Sequence, residues 1–100
     1  MKLEIENVGA EAGSRFSLGA VMVTRQAFER LATDDIERAL RLHVQGDWGL
    51  VCPEDRQSNE EALAEGLRLF SVYEDESNTR FWIITEADRS LTTVLLPDDY

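Results

Sequence analysis

The sequence is poor in the residues from which several kinds of site are built. It contains one cysteine, Cys52, and one histidine, His43. A single cysteine cannot form an internal disulfide, and one cysteine with one histidine is too few for a zinc site of the usual kind. No apolar run approaches the roughly 18 residues of a membrane-spanning helix, and the first residues lack the apolar stretch of a signal peptide. We therefore expect a cytoplasmic protein with no metal, no cofactor and no membrane contact.

Positive charge is also scarce. Lysines and arginines number 10 against 20 aspartates and glutamates, so the formal net charge is −10 over 100 residues. This charge repels phosphate backbones at long range, which counts against direct nucleic-acid binding and suits a basic protein partner. The alternative is that the acidic excess serves solubility alone. The side chains that would either imitate phosphates on one side or form a solvated face are Glu54, Asp55, Glu60, Glu61, Glu65, Glu74, Asp75 and Glu76.

The chain length fits a single domain, residues 1–100, and its first part predicts a short strand followed by helices. Residues 1–15 are expected to form an edge strand and a loop. Residues 16–24 follow as a strand that contains β-branched side chains. Thr24 is placed to cap the next helix, and Thr33 to cap a second helix that stops at Gly46.

A third helix is indicated by two alternative start signals. Ser58 has the capping-box spacing to Glu61, whereas Pro53 suits the first turn of a longer helix. Gly66 is the expected stop in both cases.

After Gly66 the apolar period changes to two, which predicts strands over residues 67–73, 81–86 and 91–96. Both faces of the middle strand are apolar, and we expect Trp82 and Ile84 to pack beneath a helix. The predicted fold is α+β, with an N-terminal strand and helices packed on a C-terminal antiparallel β-meander of three to four strands.

The segment TEADRS between the last two strands carries many polar groups. Asp88 and Ser90 favour a turn in which side chains bond main-chain donors, and Glu86 and Arg89 are expected to pair across it. The same groups would also make a recognition surface on a rigid hairpin. Both interpretations stay open, and the candidate binding residues are Trp48, Glu86, Asp88, Arg89, Thr92 and Thr93.

Two single residues have two interpretations each. Trp48 lies between two glycines in GDWG, so it is either an exposed binding anchor or a side chain that closes the core. His43 could act as a general acid or base, because its usual pKa is close to neutral. It also lies on the apolar stripe of a helix one turn from its end, where a partly buried cap that bonds a carbonyl or stabilises the helix dipole is the structural alternative.

Four segments carry a family resemblance: HVQGDWG, EDRQSNEEAL, GLRLFSVY and WIITEADRSLTTVLLPDDY. Together they resemble a family of short, uncharacterised bacterial proteins found on plasmids, phages and integrated elements. The resemblance runs from about residue 16 to residue 100 and implies no defined activity. Its mobile-element context implies a counter-defence protein, a toxin or antitoxin, or a transfer accessory factor.

Two functions follow as expectations. The first is a non-catalytic protein that binds a basic macromolecular partner, as an inhibitor of a host defence nuclease of the CRISPR or restriction type would. The alternative is a small ribonuclease, because helices followed by a meander are similar in layout to barnase and RelE-type toxins. The catalytic groups would then be His43, Glu86, Arg68 and Arg89.

Overall fold

The structure is a computed structural model, and it describes residues 1–3 and 13–100. Most of the predicted N-terminal edge strand and loop lies outside the described residues. The elements follow in the order β1 (Ala20–Val23), α1 (Arg25–Arg30), α2 (Thr33–Val44), α3 (Pro53–Glu65), β2 (Leu69–Glu74), β3 (Arg80–Thr85), β4 (Leu91–Leu95) and a 3-10 turn (Pro97–Asp99).

The four strands form one sheet in the order β1-β4-β3-β2. Strands β2, β3 and β4 make the antiparallel meander that the sequence predicts. Strand β1 lies beside β4 and runs parallel to it. Because β1 and β2 are at opposite edges of the sheet, the chain must cross from one edge to the other between them. The three helices supply that crossing, and the predicted α+β fold is confirmed.

Helix boundaries follow local capping chemistry. The Thr24 hydroxyl accepts a hydrogen bond from Ala27 N at 3.2 Å, as the sequence predicts. Helix α2 is different, because Thr33 is its first helical residue and Ala32 holds the cap position without a side-chain bond.

Helix α3 begins at Pro53, the earlier of its two predicted starts. The capping box at Ser58 is therefore wrong, since that residue lies inside the helix. Proline has a fixed φ that suits the first helical position and lacks only an N–H that would have no partner there. The predicted stop is confirmed, because Gly66 takes the left-handed φ of 72° at the end of the helix.

The two faces of the sheet have different environments. On one face, Phe81 and Ile83 of β3 are buried in a cluster with Ile36, Leu40 and Val44 of α2. The side chains of β3 alternate between faces. Trp82 and Ile84 therefore lie on the opposite face, and the expectation that they pack beneath a helix is wrong for α2. Trp82 packs instead against a smaller buried cluster that includes Val72 of β2 and Ala62 of α3. Because both faces of β3 are apolar, the alternation in the sequence could not show which one the helices cover.

Strand β2 is contacted along its outer side by α3 and the loop before it. The Asn59 side chain accepts from Phe70 N at 3.0 Å and donates to Phe70 O at 2.6 Å. Two residues further along, Val72 N donates to Trp48 O at 3.2 Å, and Leu50 N donates to Val72 O at 2.8 Å. These bonds hold α3 and the loop against the sheet.

Strand β1, at the other side of the sheet, is contacted by the first residues of the chain. Leu3 N donates to Val21 O at 2.7 Å, and Val23 N donates to Met1 O at 2.6 Å. Met1–Leu3 thus continue the sheet by one short antiparallel bridge, between Lys2 and Met22.

Candidate functional site

His43 is completely buried between α2 and the sheet. Its Nδ1 lies 2.6 Å from the Ser71 hydroxyl and its Nε2 lies 2.9 Å from the Thr85 hydroxyl. The rings of Phe16 and Trp48 pack against it, with centroids 5.2 and 5.7 Å away. The expected cap on a carbonyl is therefore wrong: the imidazole bonds two strand hydroxyls in the core.

Only one assignment of donors and acceptors is consistent with the hydrogen bonds described around His43. Thr92 donates its only hydroxyl proton to Leu18 O at 2.7 Å, so it accepts from Thr85, 2.8 Å away. Thr85 has then used its own proton and must accept from His43 Nε2–H. His43 Nδ1 is left as an acceptor for the Ser71 hydroxyl. The network assigns one neutral tautomer to the ring and leaves none of these polar atoms without a partner.

The charge state of His43 agrees with this network. Burial lowers its pKa from 6.5 to about 3, and the nearby positive charge of Arg89 acts in the same direction. The ring is therefore neutral near pH 7, and it is sealed from solvent. The partners Ser71 and Thr85 were missed by sequence reasoning, although polar residues at inward-facing strand positions were a signal for them.

Trp48 is also part of the core, with 1% of its surface exposed. Its Nε1 donates to Glu60 Oε2 at 2.9 Å, and Glu60 also accepts two bonds from Arg15 at 2.9 and 3.0 Å. The Arg15 guanidinium, followed by the Trp48 N–H, lowers the pKa of the Glu60 carboxyl. Of the two roles that the sequence left open for Trp48, the structure supports packing.

Arg89 ties the turn after β3 to the end of α3. It adopts a left-handed φ of 61°, and its Nη1 donates to the carbonyl oxygens of Leu67 at 2.7 Å and Glu86 at 3.1 Å. Its Nη2 donates to Ala62 O at 3.4 Å. The expected ion pair between Arg89 and Glu86 is wrong, because the Glu86 carboxylate lies 3.4 Å from Arg68.

Asp88 confirms the turn chemistry of TEADRS. Its Oδ1 accepts from Ser90 N at 3.0 Å and from the Ser90 hydroxyl at 2.6 Å. These bonds, that of the hydroxyl first, lower the pKa of the Asp88 carboxyl. The polar groups of the segment therefore build the turn itself, which is the first of the two interpretations given above.

The six candidate binding residues are thus divided by the fold. Trp48 and Thr92 are buried, and Arg89 is committed to main-chain carbonyls. The three that reach the surface are Glu86, Asp88 and Thr93. Thr93 lies beside Ile84 on the sheet face opposite the helices.

That sheet face, which we call the open face, carries a pocket of about 320 Å³ lined by Arg68, Phe70, Trp82, Ile84 and Tyr100. The Trp82 ring contacts Phe70 and Tyr100 edge to face, with centroids 5.1 and 5.6 Å away. Arg68 Nη1 donates to the Tyr100 hydroxyl at 3.1 Å, and its Nη2 faces Glu86. Sequence reasoning missed this pocket, although the alternation in β2 and β3 places Phe70 and Ile84 on one side.

The acidic side chains are in mixed environments. Glu54, Asp55, Glu61 and Glu65 of α3 are exposed, whereas Glu60 is held by Arg15. Asp75 accepts from Ser77 N and Thr79 N at 2.9 and 2.8 Å, and so closes the turn between β2 and β3. Glu74 and Glu76 are exposed as well, so the exposed acidic residues of this set lie on α3, at the end of β2 and in the turn that follows it.

Comparison with family models, with curated proteins and with solved structures gives no match to this chain. Within residues 1–3 and 13–100, no three histidine, cysteine, aspartate or glutamate side chains come together as a group able to hold a metal ion. In the same part of the chain, no helix is long and apolar enough to cross a membrane.

Proposed function

We propose that this protein acts without catalysis, by binding a basic macromolecular partner through its open face. The observation that carries the proposal is a surface pocket walled by aromatic rings on a chain with a net charge of −10. Exposed aromatic side chains supply binding energy at protein interfaces. The negative charge attracts a basic surface over distance and raises the rate of encounter.

The partner follows from the resemblance to short proteins of plasmids and phages. In that context, a basic protein that an acidic chain would block is a defence nuclease, of the CRISPR or restriction type, whose positive groove holds nucleic acid. The protein would then act in the cytoplasm of the host cell, where these nucleases cut incoming DNA.

The geometry gives no support to the ribonuclease alternative. His43 is buried, neutral and bonded on both ring nitrogens, so it has neither access to a substrate nor a pKa suited to proton transfer near pH 7. Arg68 and Glu86 pair at the open face, on the other side of the sheet from His43. The four proposed catalytic residues do not surround a common space.

The proposal is tested in bacteria that carry one defined CRISPR or restriction system each. Expression of the protein should raise the plaquing of a targeted phage in at least one of these strains, and the purified nuclease should bind the protein more weakly as salt rises. The Trp82→Thr variant should lose both effects. The matched control is Leu50→Ser, which removes an exposed apolar side chain that does not line the pocket.

Absence of protection in every strain, together with no salt-dependent binding to any of the nucleases, would contradict the proposal. RNA cleavage by the purified protein that disappears in a folded His43→Gln variant would instead support the ribonuclease.

A further inference from the structure

The size and lining of the pocket limit what it can hold. Its volume of about 320 Å³ is at the lower end of the roughly 300–1,000 Å³ typical of ligand sites. Phe70, Trp82 and Ile84 line it with carbon, and the edge-to-face contacts of Trp82 orient the rings as walls. Such a space suits one ring or one branched apolar side chain.

The polar groups at the pocket are already paired with each other. Arg68 donates to the Tyr100 hydroxyl and to Glu86, and its guanidinium carbon lies 5.9 Å from the centre of the Tyr100 ring. Among the residues that the structure describes, Arg68 is the one cationic side chain that lines the pocket. A phosphate or carboxylate ligand would have to displace Glu86 from Arg68 and approach a protein with a net charge of −10, which is unfavourable on both counts.

The net negative charge of the protein also favours some macromolecular partners at the pocket over others. A second copy of the chain carries the same charge of −10, so two open faces repel each other before they meet. A segment that places lysine or arginine next to its apolar side chain is attracted instead. Glu86, which pairs with Arg68 of the pocket, has 38% of its side chain exposed, and Asp98, two positions before Tyr100 in the chain, is exposed as well. These acids are the groups that cations flanking the apolar side chain would meet.

We propose that the open-face pocket receives one aromatic or large aliphatic side chain of a partner protein, from a segment in which that residue is flanked by lysine or arginine. This inference rests on the proposed function and specifies the chemistry of the partner at the same site. Burial of the apolar side chain in the pocket, away from water, supplies the binding free energy. The flanking cations raise the association rate and make binding specific for such a partner.

The test uses the unmodified protein and three acetylated, amidated peptides: Lys-Lys-Phe-Lys-Lys, Lys-Lys-Ala-Lys-Lys and Glu-Glu-Phe-Glu-Glu. Binding is followed by the NMR shifts of the Trp82 indole N–H and of the main-chain amides of Phe70 and Ile84. The phenylalanine peptide with lysines should bind about tenfold or more tightly than the alanine peptide, since burial of a phenylalanine ring is worth at least that factor. The glutamate peptide should cause no shifts.

Two variants test whether the peptide binds in the pocket. Trp82→Thr removes one wall of the pocket and should reduce the preference for phenylalanine over alanine to about twofold or less, because the ring then has no apolar partner on that side. Leu50→Ser should keep the full preference. If Trp82→Thr does not fold, the shift map of the unmodified protein decides the question by itself.

Three results would overturn the inference: equal affinity for the phenylalanine and alanine peptides, shifts centred on α3 rather than on the pocket, or self-association of the protein that perturbs the same three groups. The two proposals fail separately. A protein that blocks a nuclease but does not prefer phenylalanine would refute the pocket assignment alone. A protein that prefers phenylalanine but neither protects a phage nor binds any of the nucleases would support the pocket assignment and refute the proposed nuclease partner.

Discussion

The Nε2–H of His43 donates to the hydroxyl of Thr85 across 2.9 Å, inside the core and out of reach of solvent. The sequence presents the only histidine of the chain as a possible catalyst, and the fold uses it to join a helix to the sheet. The hydroxyls that contact the ring come from β2 and β3, so the imidazole fixes the position of α2 over both strands.

Replacing His43 by glutamine should lower the free energy of unfolding by about 1–3 kcal/mol, because the amide carries both its polar atoms at the end of the side chain and has none at the Nδ1 position that contacts Ser71. Binding of a partner should stay within a few-fold, since His43 reaches no surface. Urea unfolding and an affinity measurement on the same preparation check the two effects. Loss of function in a stable, folded His43→Gln protein would contradict this assignment.

The stability of the protein should fall in mild acid because of His43. Its pKa is about 3 in the folded protein and 6.5 in the unfolded chain, so between these values only the unfolded chain binds the proton. The stabilisation of the folded protein by neutral His43 is complete above pH 6.5. It is lost as the pH falls towards 3, at up to about 1.4 kcal/mol per pH unit.

Unfolding of the natural protein and of His43→Gln at pH 7, 6, 5 and 4 isolates that effect. Carboxyl groups with lowered pKa values, such as Glu60 and Asp88, also cost stability in acid, but they do so in both proteins and cancel in the difference. The two curves should approach each other below pH 6.5, because the natural protein loses the advantage over His43→Gln that it has at pH 7. Parallel curves would show that His43 is not protected from protonation.

The two isoleucines at the centre of β3 should differ in their contribution to stability. Ile83 is fully buried against the helices, whereas Ile84 is 5% exposed and borders the pocket. Ile83→Ala should cost about 2–5 kcal/mol, and Ile84→Ala about 2 kcal/mol, because a space that opens into the pocket can be filled by water or by neighbouring rings. Chemical denaturation of both variants makes the comparison. A loss below about 0.5 kcal/mol for Ile84→Ala would mean that the open face adds nothing to the core.

Gly49 should tolerate no side chain, whereas Gly66 should tolerate one. Both have a left-handed φ, of 77° and 72°. A Cβ at Gly49 would lie 2.0 Å from Val72 O, and one at Gly66 would meet nothing within 4 Å. Gly66→Ala should therefore cost about 1–2 kcal/mol, for the backbone conformation alone, and Gly49→Ala distinctly more, because the loop must leave β2. Equal melting temperatures for the two variants would contradict the contact of Gly49 with the sheet.

Charge reversal at Glu86 and Asp88 should weaken partner binding more than reversal at Glu4 and Glu6, which lie outside the described residues. Glu86 pairs with Arg68 at the open face, and Asp88 is exposed in the turn that follows β3. The effect of reversing them should appear in the association rate, which falls as salt shortens the screening length to about 8–10 Å. Rates at low and high salt for both double variants test this. Equal effects would indicate diffuse attraction, and rates that do not depend on salt would remove electrostatic steering.

The features that the sequence predicts correctly are those set by a few neighbouring residues. The Thr24 cap, the Pro53 start and the Asp88 turn each depend on bonds within four positions of the chain. The features it did not reveal are set by distant partners. Arg89 was expected to pair with its neighbour Glu86, but the fold brings the carbonyl of Leu67 within 2.7 Å of it. In the same way, the parallel pairing of β1 with β4 depends on the path of the helices.

The contact between Asn59 and Phe70 has a consequence for how the protein meets other chains. The carboxamide of Asn59 occupies both main-chain groups of Phe70 in the way that a peptide group of an added strand would. Met1–Leu3 use main-chain groups of β1 on the far side. At these positions the sheet has no vacant border on which a foreign strand or a fibril could grow. Partners are therefore recognised through side chains. The protein can expose an apolar surface without its edge strands pairing with strands of other chains.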